Sequence, residues 1–338
     1  MTLRDDFASD NTAGAAPEAL QSLIDANQGF MASYSEDQVT ARAGDLIRAM
    51  LDADAEVRFV ASGTAANALS LAALCRPFEA VLAHEHAHIL TNEAGAPGFF
   101  GGGLSLIGLP GAAGRIDLDA LEAAVAAPDN AHQPSPAALS LTNATEYGAI
   151  YDIERMSGLI VAARAKQPDL GVHVDGARLA MAMATGLDAK ALKSLGVNIL
   201  IVGGTKAGMT PTEAIVLFDK ALIRRFDARL KQAGQLPSKS RFFAAPWIGM
   251  LESGAFVDRA RHANAMAWKL SQAQPFEIVH PVETNAVFVR MDAATLQRVH
   301  NAGWDIGPMS DGSVRLMCSW ATTQADVEEF AATLRALA

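Results

Sequence analysis

Cysteine is nearly absent from this 338-residue chain: only Cys75 and Cys318 occur, each inside an apolar segment. Two scattered thiols exclude a disulfide framework and suit a reducing compartment. MTLRDDFASDN does not read as a secretory leader, because acidic residues stand where a leader needs an apolar run. The longest uncharged tract near the middle, AGAPGFFGGGLSLIGLPGAAG, has too much glycine and proline for a membrane helix. A cytoplasmic protein with no membrane partner is expected. Positive charge is also in deficit: 27 Lys and Arg stand against 37 Asp and Glu, a formal net charge of −10. That balance argues against nucleic acid and anionic membrane surfaces as partners.

What is present belongs to a folded chain, half hydrophobic and 19% charged. Single cores stop growing near ~250–300 residues, so one large domain plus a smaller one is expected. Short apolar runs (EVRFVA, AVLA, LSLIGL, AALSLTN, GVHVD, NILIVGG, EAIVLF) alternate with helical ones (TAANALSLAALC, DLDALEAAVAA, DIERMSGLIVAARAKQ, DAKALKSL). Runs such as NILIVGG are apolar at successive positions, as in strands buried on both faces. The alternation predicts an α/β fold with a mostly parallel sheet between helices, whose ligands bind beyond the carboxyl ends of the strands. After Phe218 the pattern changes. One helix is expected over DKALIRRFDARLKQAG and another from about Met250 to Gln272, followed by a compact strand–helix region.

Three strand ends carry chemistry. After EVRFVA comes SGTAANALS, where the N–H groups of Gly63 and Thr64 at a helix start make an anion site suited to a phosphate. An ordinary tight turn capped by Thr64 is the alternative. Neither GxGxxG nor a Walker pattern occurs there, which favours a simple phosphate ester over a nucleotide. GVHVDGAR ends on Asp175, a carboxylate that either pairs with Arg178 or serves a ligand. NILIVGGTKAG puts Lys206 after a buried strand and two glycines, where it is either a desolvated nucleophilic amine or a lysine reaching out to solvent. Together a phosphate cradle, an aspartate and a lysine at one sheet edge match the needs of pyridoxal phosphate. The lysine forms the Schiff base and the carboxylate keeps the pyridine nitrogen protonated, so the ring acts as an electron sink.

SGTAAN, HAHILTNEAG, HVDGARLA and GGTKAG resemble the motifs of the L-threonine aldolases, within the beta-eliminating lyase and threonine aldolase group of pyridoxal-phosphate enzymes. The likeness runs from FASDN to VRLMCSW and is nearest the bacterial low-specificity subgroup, through KQAGQL, APW and MCSW. It implies fold type I, the aspartate-aminotransferase-like fold: a large domain over 1–248 with an N-terminal arm and a mostly parallel seven-stranded sheet, and a small C-terminal α+β domain over 249–338. It also implies retro-aldol cleavage of L-threonine, L-allo-threonine and related β-hydroxy-α-amino acids to glycine and an aldehyde, in a homo-oligomer, dimer or tetramer, with shared active sites. Phenylserine-type aldolases, transaldolases and β-eliminating lyases are the neighbouring alternatives.

On the resemblance, Lys206 would hold the cofactor, Asp175 its pyridine nitrogen, and Gly63 and Thr64 its phosphate. Lys231, in LKQAG, would reach a phosphate, that of a neighbouring subunit. Arg178 would lie near the ring hydroxyl or the substrate carboxylate, and Ser9 and Arg315 would clamp that carboxylate. His88 would stack over the ring. Many relatives have a second histidine where ATEYG stands here, so Glu146 takes its place and competes with His88 as the group that contacts the substrate hydroxyl. Asn67 and Tyr34 are further candidates to approach the cofactor. AHEHAHILTNEAG also contains HExxH, at His84, Glu85 and His88, the pattern of zinc hydrolases. The resemblance makes that match coincidental, leaves His84 and His86 as ordinary loop histidines, and implies no metal.

Overall fold

The computed structural model describes residues 3–127 and 130–338. All seven apolar runs form strands: β1 Glu56–Val60, β2 Glu79–His84, β3 Ser105–Leu109, β4 Ser135–Thr142, β5 Gly171–Gly176, β6 Ile199–Gly203 and β7 Glu213–Leu217. They make one sheet in the order β1-β7-β6-β5-β4-β2-β3. Every pairing among β2 to β6 is parallel, whereas β7 runs antiparallel to both β1 and β6. Successive residues of β6 alternate between two cores. Leu200 and Val202 face one side, and Ile199 and Ile201 join Ala66 and Leu69 of the helix Gly63–Leu74 on the other. This two-sided burial is why the central strands read as unbroken apolar runs.

A second sheet follows in the order β8-β10-β9, from Ala286–Val289, Val314–Met317 and Gly307–Pro308. The helices Ala255–Ala273 and Gln324–Leu337 bury Leu270, Phe330 and Leu334 against it. Phe7 belongs to this core rather than to that of the large sheet: its ring stacks on Phe330 at 4.4 Å, and its carbonyl accepts from the Met317 N–H at 2.9 Å. The N-terminal segment is thereby tied to β10, which brings Ser9 and Asp10 beside Arg315.

Three expected helices differ in extent. DKALIRRFDARLKQAG is interrupted at Arg225, whose left-handed backbone (φ 70°) separates a short turn, Lys220–Leu222, from the helix Phe226–Gln232. The helix expected from Met250 is two helices, Arg241–Glu252 and Ala255–Ala273, separated at Gly254 (φ 78°), a conformation that suits glycine. The position expected as the division of the chain, 248/249, lies inside the first of these. Within DAKALKSL only Ala191–Ser194 is helical. Among the described residues, no helix is long and apolar enough to cross a membrane.

Candidate active site

The carboxyl ends of β2, β5 and β6, the N-terminal segment and the small sheet enclose a cavity of about 500 Å³. Lys206, His88, Arg178, Arg315, Ser9 and Glu146 all line it. Lys206 reaches it from a tight turn, Thr205–Ala207, which follows β6 directly. The two glycines before it are required by close approach: a Cβ at Gly203 would meet the Ala177 carbonyl oxygen at 2.1 Å, and one at Gly204 the Thr212 carbonyl oxygen at 2.5 Å. Lys206 therefore points inward rather than out to solvent, and its amine makes no hydrogen bond or ion pair among the described residues.

Asp175 is 3% exposed. Arg178 does not pair with it. The Arg178 fork closes on Asp10 instead, with Nε donating to Oδ2 at 2.7 Å and Nη2 to Oδ1 at 3.0 Å. Burial alone would push the Asp10 carboxyl up, but Arg178 overrides it and holds the group below the ordinary carboxylate value. Among the described residues Asp175 receives neutral donors only, the Asn67 amide at 2.9 Å and the Ala177 N–H at 3.0 Å. A buried carboxylate without a cation costs several kcal/mol. A protonated pyridine ring nitrogen would supply that missing cation. The phosphate end fits as well. The first N–H groups of a helix have no acceptor within it; the Ser62 hydroxyl takes that of Ala65 at 3.3 Å, which leaves those of Gly63 and Thr64 for a ligand. A Cβ at Gly63 would meet no protein atom within 4 Å. These residues fit pyridoxal phosphate.

Arg315 follows from strand alternation. On β10, Val314 and Leu316 enter the small core and Arg315 faces the cavity. Its Nη2 donates to the Ala8 carbonyl at 3.0 Å, and no acid pairs with it among the described residues. Burial first, and the Arg178 charge second, lower its pKa. Since Arg178 is already neutralised by Asp10, Arg315 is the guanidinium free to bind a substrate carboxylate.

His88 lies half-buried, its Nδ1–H donating to Glu93 Oε1 at 2.9 Å. That bond raises the pKa of the imidazole against the effect of burial. The same Glu93 oxygen accepts from Asn67 at 2.8 Å, so Asn67 bridges two buried carboxylates, Glu93 and Asp175. Asn67 thus lies behind the site, while Tyr34 opens on a separate recess with Arg58 and Asp227. Lys231 is exposed and sits 4.3 Å over the Tyr34 ring, outside the cavity that Lys206 lines.

The HExxH match does not lie on one helix. His84 closes β2 and His88 opens the short helix His88–Thr91. Both His84 nitrogens are engaged, Nε2–H with the Gly111 carbonyl at 2.9 Å and Nδ1 with the His86 N–H at 3.1 Å. Glu85 is exposed. Glu85→Gln and prolonged chelator treatment should both leave turnover within about twofold of the untreated protein; a zinc hydrolase would lose turnover in each assay.

Several residues in or behind the cavity had no signal in the sequence. Asp10, buried behind the wall beside Arg178, is paired with it across 168 positions. His86, expected to be an ordinary loop histidine, lines the cavity together with Tyr147, and its ring meets the Tyr147 ring edge-on at 5.6 Å. Tyr147 in turn stacks on His280 at 4.3 Å. Ser310 and Met309 close the same wall.

The beta-eliminating lyase family model matches residues 6–294 of this chain. The chain is 40% identical to the low specificity L-threonine aldolase of Pseudomonas sp. (strain NCIMB 10558), over 98% of its own length and 97% of that protein's. It is 39% identical to the enzyme of that description from Pseudomonas aeruginosa, over 97% and 96% of the two chains. Among solved structures it superposes on a threonine aldolase of Leishmania major with a TM-score of 0.91 and 27% identity, covering 98% of this chain and 99% of that one.

Proposed function

This chain belongs to the beta-eliminating lyase family, and we propose that it is a pyridoxal-phosphate-dependent aldolase cleaving L-threonine, L-allo-threonine and related β-hydroxy-α-amino acids to glycine and an aldehyde. One observation carries the reading: one cavity holds a Lys206 amine and an Arg315 guanidinium that pair with no acid among the described residues, at the sheet edge where β5 brings a buried carboxylate, Asp175, to which no cation is bonded among those residues. When bound, the cofactor supplies an electron sink for the pair released as the Cα–Cβ bond breaks. Lys206 would attach it, and Asp175 would hold a proton on its ring nitrogen. Gly63 and Thr64 would take its phosphate. Arg315, with Ser9, would fix the substrate carboxylate and so choose which bond at Cα lies in line for cleavage. His88 would lie against the ring. Because Nδ1–H is committed to Glu93, its Nε2, which has no hydrogen-bond partner among the described residues, would accept the β-hydroxyl proton. The loaded protein should be yellow, and borohydride should remove both the colour and the turnover; a colourless protein that still turns over would refute the reading.

The same reading takes 1–248 as the cofactor-holding unit and 249–338 as the smaller one, in a reducing, cytoplasmic setting in which Cys75 and Cys318 stay buried and free. It also makes the active protein a homo-oligomer. Lys231 lies outside its own cavity, and Phe30, at 107% relative exposure, stands wholly in solvent in the single chain. If Lys231 serves a partner's phosphate, then Lys206→Ala and Lys231→Ala chains, each inactive alone, should regain activity when mixed, through hybrid sites. Full activity of a monomer at high dilution would rule out shared sites.

A further inference from the structure

β7 runs against its neighbours, so its first residue, not its last, lies at the edge where the cavity opens. That residue is Glu213. It pairs across the sheet with Val60, the last residue of β1, and with Gly203, the last of β6. Glu213 is 7% exposed, and an apolar residue would suit such a place better. Its contacts explain the exception. Oε2 accepts from the Gly204 N–H at 2.8 Å. The Thr205 hydroxyl accepts from the Thr212 N–H at 3.2 Å and lies close enough to the same carboxyl to lower its pKa. One buried carboxyl therefore contacts both residues immediately before Lys206, bonding the first and adjoining the second. Burial raises its pKa to about 7, against the Thr205 hydroxyl, the Gly204 bond and the charge of Lys206, so a neutral amide is a fair mimic of its protonated form.

We propose that Glu213 is a positioning residue for Lys206: through the Gly204 amide and the Thr205 hydroxyl it fixes the turn that aims the lysine amine into the cavity. The lysine side chain is long and flexible, so its productive placement depends on a fixed Cα and turn. The inference rests on Lys206 being the attachment point proposed above.

The test compares wild type, Glu213→Gln and Glu213→Ala, each prepared free of cofactor and mixed with pyridoxal phosphate in a stopped-flow absorbance experiment. Gln keeps an oxygen for the Gly204 N–H and an amide for the Thr205 hydroxyl, so attachment rate and kcat should stay within about threefold of wild type. Ala removes the Gly204 bond and the Thr205 contact. Attachment should slow about tenfold or more, and kcat on L-threonine should fall similarly, with KM changed by less than about threefold. If Glu213→Ala does not fold, Thr205→Val, which removes the hydroxyl beside the carboxyl from a half-buried position, should show the same split with a smaller loss. Wild-type attachment rate and kcat in Glu213→Ala, or in Thr205→Val in its place, would overturn the proposal. So would a Glu213→Gln variant as slow as Glu213→Ala. Borohydride reduction of wild type followed by peptide mapping separates the two readings. A label on another lysine removes both, whereas a label on Lys206 with an unimpaired Glu213→Ala removes this one alone.

Discussion

Lys206→Ala should abolish threonine cleavage, with a loss of at least about four orders of magnitude in kcat, while the protein still folds and still takes up pyridoxal phosphate. The fold should tolerate the change because the Lys206 amine makes no hydrogen bond or ion pair among the described residues, so its removal leaves no buried partner behind. Uptake should persist because the Gly63 and Thr64 amides and Asp175 are untouched. What disappears is the covalent linkage and its visible absorbance. Retention of that absorbance in the variant would show that another lysine is the anchor.

Asp175→Asn should lower kcat by roughly three orders of magnitude without unfolding the chain. An amide cannot balance a ring-nitrogen proton, and a neutral pyridine ring is a poor electron sink. The fold should accommodate the change because Asn67 can turn its own amide. Its Oδ1 has no hydrogen-bond partner among the described residues, so a flip would offer an acceptor to the amide introduced at position 175, at the expense of its bond to Glu93. The Ala177 N–H would keep an oxygen acceptor at the substituted position. Near-normal turnover in this variant would mean that Asp175 serves packing alone.

Much of this arrangement was legible in the chain, for identifiable reasons. The central strands β5, β6 and β7 are buried along their whole length, which is why they read as largely apolar runs, and the parallel strands bring their carboxyl ends to one edge. Asp175 and Lys206 stand out because polar residues there interrupt otherwise apolar sequence. The pairing of Arg178 was less legible. Asp175 is three residues away, whereas the true partner, Asp10, lies 168 positions off and arrives only because Phe7 anchors the N-terminal segment in the small core. Local spacing favours the near carboxylate, and long-range packing decided for the far one. Glu213 was missed for a different reason. EAIVLF identifies a strand but not its direction, and only antiparallel placement of β7 puts its first residue beside Lys206. Helix interruptions at Arg225 and Gly254 depend on single backbone angles that hydrophobic periodicity does not encode.

Product analysis tests the central claim most directly. Purified protein loaded with pyridoxal phosphate would be incubated with L-threonine and its products quantified by proton NMR. Retro-aldol cleavage predicts glycine and acetaldehyde in equal amounts, with no ammonia released. Formation of 2-oxobutanoate and ammonia, the products expected if water is instead eliminated across Cα and Cβ, would contradict the account.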